Sequence, residues 1–172
     1  LFINELNRMP ESVQNVLLPA LDERILILPQ IGSIQAKPGF QVIATQNPVE
    51  YIATGHLSEA LKDRFEHVVL NYQSEAEETA IVRQVTGCTD KELLREAVSL
   101  VRATRADPRF RKGASVRAAI AIVSIAPRLE GPDALLRAAR AALATRVELR
   151  EDLETGLDGV LAALCDELKK KL

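Results

Sequence analysis

The first eight residues, Leu1-Phe2-Ile3-Asn4-Glu5-Leu6-Asn7-Arg8, pass from large apolar side chains into a polar pair and then to a helix start at Met9-Pro10-Glu11. An apolar run without alternation reads as a strand buried on both faces, the usual state in a parallel sheet. A polar pair at the carboxyl end of such a strand, with a helix close behind, faces the crevice where these sheets do their chemistry. The chain therefore starts as an α/β unit, and Asn4 and Glu5 are its first candidate site residues.

Residues 1–73 keep this alternation. Val13, Val16, Leu17, Ala20 and Leu21 follow helical spacing behind Pro10, a residue suited to a first helical position. Residues 24–28 and 33–36 flank Gly32 and predict a hairpin. Phe40–Thr45 reads as a second buried strand that also ends in a polar cluster, Gln46-Asn47-Pro48. A short helix is expected around 57–62 and a third strand at 68–72. From Ser74 the pattern is helical throughout. Ser74 and Glu77 have capping-box spacing, and helices are expected over 75–86, 90–104, 115–126, 132–149 and 157–171. A sheet part followed by a helical part implies two subdomains joined near residue 73.

Composition narrows the function. Apolar residues make up 47% and aromatics 3%, with no Trp, so the core has to be Leu, Val, Ile and Ala. A net charge of −2 gives no electrostatic reason to bind nucleic acid. No apolar run reaches the ~18 residues of a membrane span, so no membrane insertion is expected. Cys88 and Cys165 lie far apart without metal-like spacing, and His56 and His67 form no ligand cluster. A reduced, cytoplasmic setting is the expectation.

Four strings in order carry a family resemblance: LFINELNR at 1–8, ATQNP at 44–48, SEALKDRF at 58–65 and GASVRAAI at 113–120. They resemble the Walker B segment, sensor 1, the arginine-finger segment and the sensor 2 helix of AAA+ ATPases. The hairpin ahead of ATQNP is similar to an insertion of the MoxR-type branch. The resemblance covers nearly the whole chain, from Walker B onward. It implies an α/β fold: a truncated AAA+ P-loop NTPase core, a parallel sheet with flanking helices, over 1–73. An all-α lid subdomain would follow over 74–172. It further implies ATP and Mg²⁺ as cofactors, like subunits in a ring, usually hexameric, and a protein substrate remodelled or matured in a chaperone-like manner. A von Willebrand A-domain protein is the substrate class that the family suggests. No G-x-x-x-x-G-K-[ST] phosphate loop occurs in the chain. The expectation is therefore part of an ATPase, inactive by itself, whose phosphate loop lies upstream in the parent.

The resemblance assigns roles that the chemistry supports. Glu5, at a strand end, accepts a proton from the attacking water, a general-base role worth roughly 10²–10⁴ in rate. Asn47 holds that water or the γ-phosphate with an amide that both donates and accepts. Arg64 carries a fixed positive charge to a neighbouring subunit's γ-phosphate, a role worth about 10³–10⁵. Arg117, near a helix start, reaches the phosphates from the lid and couples lid position to nucleotide state.

One position departs from the family. Asn4 stands where the Asp that serves Mg²⁺ is expected, and it would act through a metal-bound water without bringing a charge. Neutral hydrogen bonds contribute ~0.5–1.5 kcal/mol against ~1.5–3 for charged ones, so Mg²⁺ handling would weaken by about tenfold. A rival reading makes the chain a non-hydrolysing regulatory or assembly module that supplies Arg64 to a neighbour. A DNA-remodelling motor has no basic stripe to support it. Each string also has a plainer reading: Asn4-Glu5 as a helix cap, Gln46-Asn47-Pro48 as a turn, Asp63-Arg64 as a surface ion pair, Arg117 as a solvated helix residue.

Overall fold

The computed structural model describes residues 1–47 and 57–171; Pro48 and His56 lie outside the described residues. The chain separates into two compact units, Leu1–Val69 and Leu70–Leu172.

In the first unit, β1 (Phe2–Ile3) pairs in parallel with β4 (Ile43–Ala44), Phe2 opposite Ile43 and Ile3 opposite Ala44. The intervening chain forms a 3₁₀ turn at Leu6–Arg8, α1 (Glu11–Gln14), α2 (Leu17–Asp22) and an antiparallel hairpin. The hairpin strands are β2 (Ile25–Leu28) and β3 (Gly32–Gln35), with Leu26 opposite Ile34. One continuous helix behind Pro10 was the expectation; instead it divides between α1 and α2. Pro19 falls in the first turn of α2, where a missing N–H is tolerated, whereas a helix running on from α1 would need that donor. Pro10 takes the N-cap of α1, one residue ahead of the helix.

The core of this unit is small. Leu6, Leu17 and Leu61 are buried, and Ile3, Met9, Leu21, Ala44 and Phe65 pack around them. Gln14 is fully buried and joins two elements: its Nε2 donates to the Met9 carbonyl at 2.9 Å and its Oε1 accepts from the Ser58 amide at 3.3 Å. Ser58 in turn caps α3 (Glu59–Lys62) by accepting from Leu61 N–H. Buried polar side chains persist where their hydrogen bonds are made, and Gln14, the last residue of α1, thereby ties the N-cap of α3 to α1 and to Met9 ahead of it. Residues 68–72, expected as a third strand, join no ladder; Val68, Val69, Leu70 and Tyr72 are exposed. Apolar sequence alone does not make a strand, because a strand is completed by neighbours that pair with its backbone.

The second unit holds α4 (Glu75–Thr86), α5 (Lys91–Ala106), α6 (Val116–Ile125), α7 (Ala134–Leu143) and α8 (Leu157–Lys171). The helix α4 starts on the predicted capping box: Glu77 N–H donates to Ser74 Oγ at 3.3 Å and Ser74 N–H donates to Glu77 Oε2 at 2.9 Å. The Ser74 hydroxyl and amide also hold the Glu77 carboxyl below its ordinary pKa. Gly87 ends α4 in a left-handed conformation, φ 67°, which favours glycine. Asp90 caps α5 by accepting from the amides of Glu92 and Leu93. The helix α6 packs against α4, α5 and α7. Ala118, Ala119, Ala138, Ala139 and Ala142 are at most 1% exposed, so small side chains line the helix contacts and leave Leu100, Ile122, Leu143 and Leu161 to fill the interior.

Two helical expectations change. The predicted 132–149 helix stops at Leu143, and Glu148–Leu149 (β6) pairs antiparallel with Phe110–Lys112 (β5). Val147 and Phe110 turn into the core at this ribbon, which Arg111 and Glu148 join by an ion pair. β-branched and aromatic residues favour that extended geometry over another helical turn. The part after Ser74 is therefore helical with one short ribbon.

Truncating Ile122, which is 0% exposed at the centre of this core, leaves a cavity. Ile122→Ala should lower the unfolding free energy by about 3 kcal/mol, while Val85→Ala, at an exposed position on α4, should change it by less than about 0.5 kcal/mol. Urea denaturation followed by circular dichroism measures both.

Candidate functional site

The parallel pairing of β1 and β4 brings the ends of two strands side by side, and one residue ties them together. Thr45 N–H donates to the Ile3 carbonyl at 2.9 Å, and the Thr45 carbonyl accepts from Leu6 N–H at 2.8 Å. Its hydroxyl accepts from Glu5 N–H at 3.0 Å and donates to Asn4 Oδ1 at 2.8 Å. Asn4 and Glu5 are thus each held by Thr45, a residue of the ATQNP string. Asn7, buried at 6% exposure, adds a contact from its Nδ2 to the Asn47 carbonyl at 3.5 Å.

Glu5 has φ 55° and ψ 52°, the left-handed region, and its side chain makes no cap hydrogen bond. A non-glycine residue there costs about 1–3 kcal/mol, and such strain clusters at functional sites. The plain cap reading fails for Glu5, because its carboxylate turns instead to Arg8, with Nε 2.8 Å from Oε2. At 37% exposure the carboxylate remains open to solvent. Asn4 is exposed, and its Oδ1 uses one of two lone pairs on Thr45, so the second can accept a further hydrogen bond.

Arg64 follows α3 in the same unit. Its Nε donates to Asp22 Oδ1 at 2.7 Å and its Nη1 donates to the Ala60 carbonyl at 2.6 Å. The ion-pair partner is thus Asp22 at the end of α2, rather than the adjacent Asp63. The hydrogen bond to Asp22 raises the Arg64 pKa above its ordinary value, and the same bond lowers that of Asp22. A guanidinium has five N–H donors, so Nη2 and half of Nη1 remain beyond these two bonds. Arg117 lies in the other unit, exposed in the first turn of α6.

The structure therefore brings together Asn4, Glu5 and the Thr45–Asn47 segment, and it holds Arg64 on its own partners. Sequence reasoning missed Thr45 as the bridge, Arg8 as the partner of Glu5, Asp22 as the partner of Arg64, and buried Gln14. Arg8 was legible as a basic residue three positions after an acid. Asp22 carried no local signal, because the pair spans 42 residues.

Among the described residues no three His, Cys, Asp or Glu side chains cluster to hold a metal. Mg²⁺ at a nucleotide needs only one or two protein oxygens, with phosphates and water completing the shell. Asn4 and Glu5 offer that share, with one charge between them. No helix among the described residues is long and apolar enough to cross a membrane.

The family profile of the AAA domain (dynein-related subfamily) matches residues 1–65, which include Asn4, Glu5, Asn47 and Arg64. The gas vesicle ATPase GvpN of Ancylobacter aquaticus is 34% identical over 137 residues, covering 77% of this chain and 38% of that protein. GvpN2 of Halobacterium salinarum is 30% identical over 172 residues, covering 96% of this chain and 49% of that protein. The chaperone MoxR1 of Mycobacterium tuberculosis is 37% identical over 83 residues, covering 48% of this chain and 22% of that protein. The chain spans less than half the length of these curated relatives. With two parallel strands whose ends carry Asn4, Glu5 and ATQN, flanking helices and a following helical unit, the chain belongs to the AAA+ ATPase family, in its MoxR-type branch.

Proposed function

We propose that this chain is part of a Mg²⁺-dependent ATPase that works in a ring of like subunits and remodels or matures a protein partner. The observation that carries the reading is the strand-end knot, in which Thr45 fixes Asn4 and Glu5 together while the Glu5 carboxylate stays accessible. Relatives named gas vesicle ATPase and chaperone fit a protein assembly as the client.

In this reading Glu5 takes the proton of the attacking water on its carboxylate, with Arg8 orienting that carboxylate. Asn47 positions the water or the γ-phosphate through its amide. Arg64 is pre-oriented by Asp22 and Ala60, and its remaining N–H groups stabilise charge on a neighbouring subunit's nucleotide. Arg117 reads the phosphates from the helical unit. Mg²⁺ supplies charge neutralisation to the phosphates when bound, and Asn4 orients one of its waters without adding charge. The cytoplasm is the setting proposed. A second reading, a non-hydrolysing module acting only through Arg64, is favoured by the uncharged Asn4.

Two substitutions in the full-length protein test these roles. Glu5→Gln should keep ATP binding and lower turnover by roughly 10²–10⁴, the span of a general base. No turnover in parental rings, with hydrolysis by a neighbouring subunit that depends on Arg64, would instead support the module, and unchanged turnover in Glu5→Gln would overturn the general-base role. Asn4→Asp keeps the acceptor for the Thr45 hydroxyl and restores a charge. Steady-state turnover should be equal to the parent or up to about tenfold higher at limiting Mg²⁺, and a clear loss would show that Asn4 has another role.

A further inference from the structure

The helical unit buries a charged network that the proposed hydrolysis does not use. Glu78 on α4 is 1% exposed and faces two arginines of α5: Arg102 Nη1 at 2.9 Å from Oε2 and Arg105 Nη1 at 2.8 Å from Oε1. A buried carboxylate needs such partners to remain charged. Both arginines also bind the chain just ahead of α4. Arg102 Nη1 donates to the Gln73 carbonyl at 3.1 Å, and the Arg105 guanidinium stacks over the Tyr72 ring at 3.9 Å.

Arg105 has a further contact, at the lead-in to α6. Its Nε donates to the Ala114 carbonyl, and Ala114 N–H donates to Thr104 Oγ1 at 3.0 Å. Gly113 lies so close to α5 that a Cβ there would sit 2.7 Å from Arg105 Cα and 2.8 Å from the Thr104 carbonyl oxygen. The lead-in is therefore pinned to α5 by two hydrogen bonds and a contact that only glycine fits. Three residues beyond Ala114 stands Arg117.

We infer that Arg105 is a positioning residue for Arg117, and that Tyr72, stacked on the same guanidinium, couples the first residues of the helical unit to the start of α6. One planar group has Tyr72 on its face, Glu78 at Nη1 and the Ala114 carbonyl at Nε. Removing any one partner frees the guanidinium to turn, and the lead-in of α6 loosens with it. Lysine would not substitute, because an ammonium cannot stack and bond along two directions at once. The functional half of the inference rests on the assignment of Arg117 to the nucleotide phosphates.

Amide hydrogen exchange on the 172-residue chain tests the coupling without nucleotide. Tyr72 is 59% exposed, so its replacement spares the core. In Tyr72→Ala, exchange at Ala114 should quicken about two- to fivefold, the range of an exposed cation–π contact. Tyr72→Phe should restore the parental rate, and Leu143 in α7 should exchange at the parental rate in both variants. An unchanged Ala114, or an equal acceleration at Leu143, would overturn the proposal. In the full-length protein, Tyr72→Ala should weaken ATP binding about two- to fivefold and have no further effect in an Arg117→Ala background. Additive effects would overturn the inference. So would an Arg117→Ala variant with parental ATP affinity, which would leave the assignment of Glu5 standing.

Discussion

The Thr45 hydroxyl is the contact on which the geometry of the site depends. Two parallel strands of two residues each would leave their carboxyl ends free to splay, because a short ladder fixes little beyond its own length. Thr45 extends the registration past the ladder, binding the Glu5 amide and the Asn4 side chain through one oxygen. The left-handed backbone at Glu5 follows from this clamp. The chain has to turn sharply for Leu6 N–H to reach the Thr45 carbonyl and for Leu6 to enter the core. Backbone strain at Glu5 is thus offset by burial of the residue beside it.

The helical unit solves a different problem. With few aromatics, it relies on alanines for close helix approach and on Leu, Ile and Val for volume, and its ends are capped by Ser74–Glu77, Gly87 and Asp90. Burying a large aliphatic side chain contributes roughly 1.5–3 kcal/mol, so this interior stands on many modest terms. The Glu78–Arg102–Arg105 network is a weak source of stability by comparison, since burying charge costs desolvation. Its value lies in direction, because it sets where Gly113 and Ala114 run.

Much of this was legible in the sequence wherever the signal is local. The place of the opening strand, the hairpin around Gly32, the capping box at Ser74 and the start of α8 at Leu157 all follow from spacing within a few residues. The burial expected on both faces of that opening strand is not met, Phe2 being 64% exposed. Asn4, Glu5 and the ATQN run are each legible as the polar end of a strand, and the structure adds that those two strands pair. Long-range partners were not legible: Thr45 with Asn4, Arg64 with Asp22 and Gln14 with Ser58 each join residues more than 40 positions apart. The helix over 132–149 was read too long, because its final turn is claimed by pairing with Phe110–Lys112, which no local pattern announces.

The direct test of the knot is Thr45→Val in the full-length protein, which keeps the branched shape and removes the hydroxyl shared by Asn4 and Glu5. Single-turnover hydrolysis with pre-bound ATP separates the chemical step from binding. Misplaced catalytic groups lose rate steeply, so the hydrolysis step should slow by at least about tenfold with ATP affinity retained. A parental rate of hydrolysis in Thr45→Val would contradict the claim that this hydroxyl organises the site.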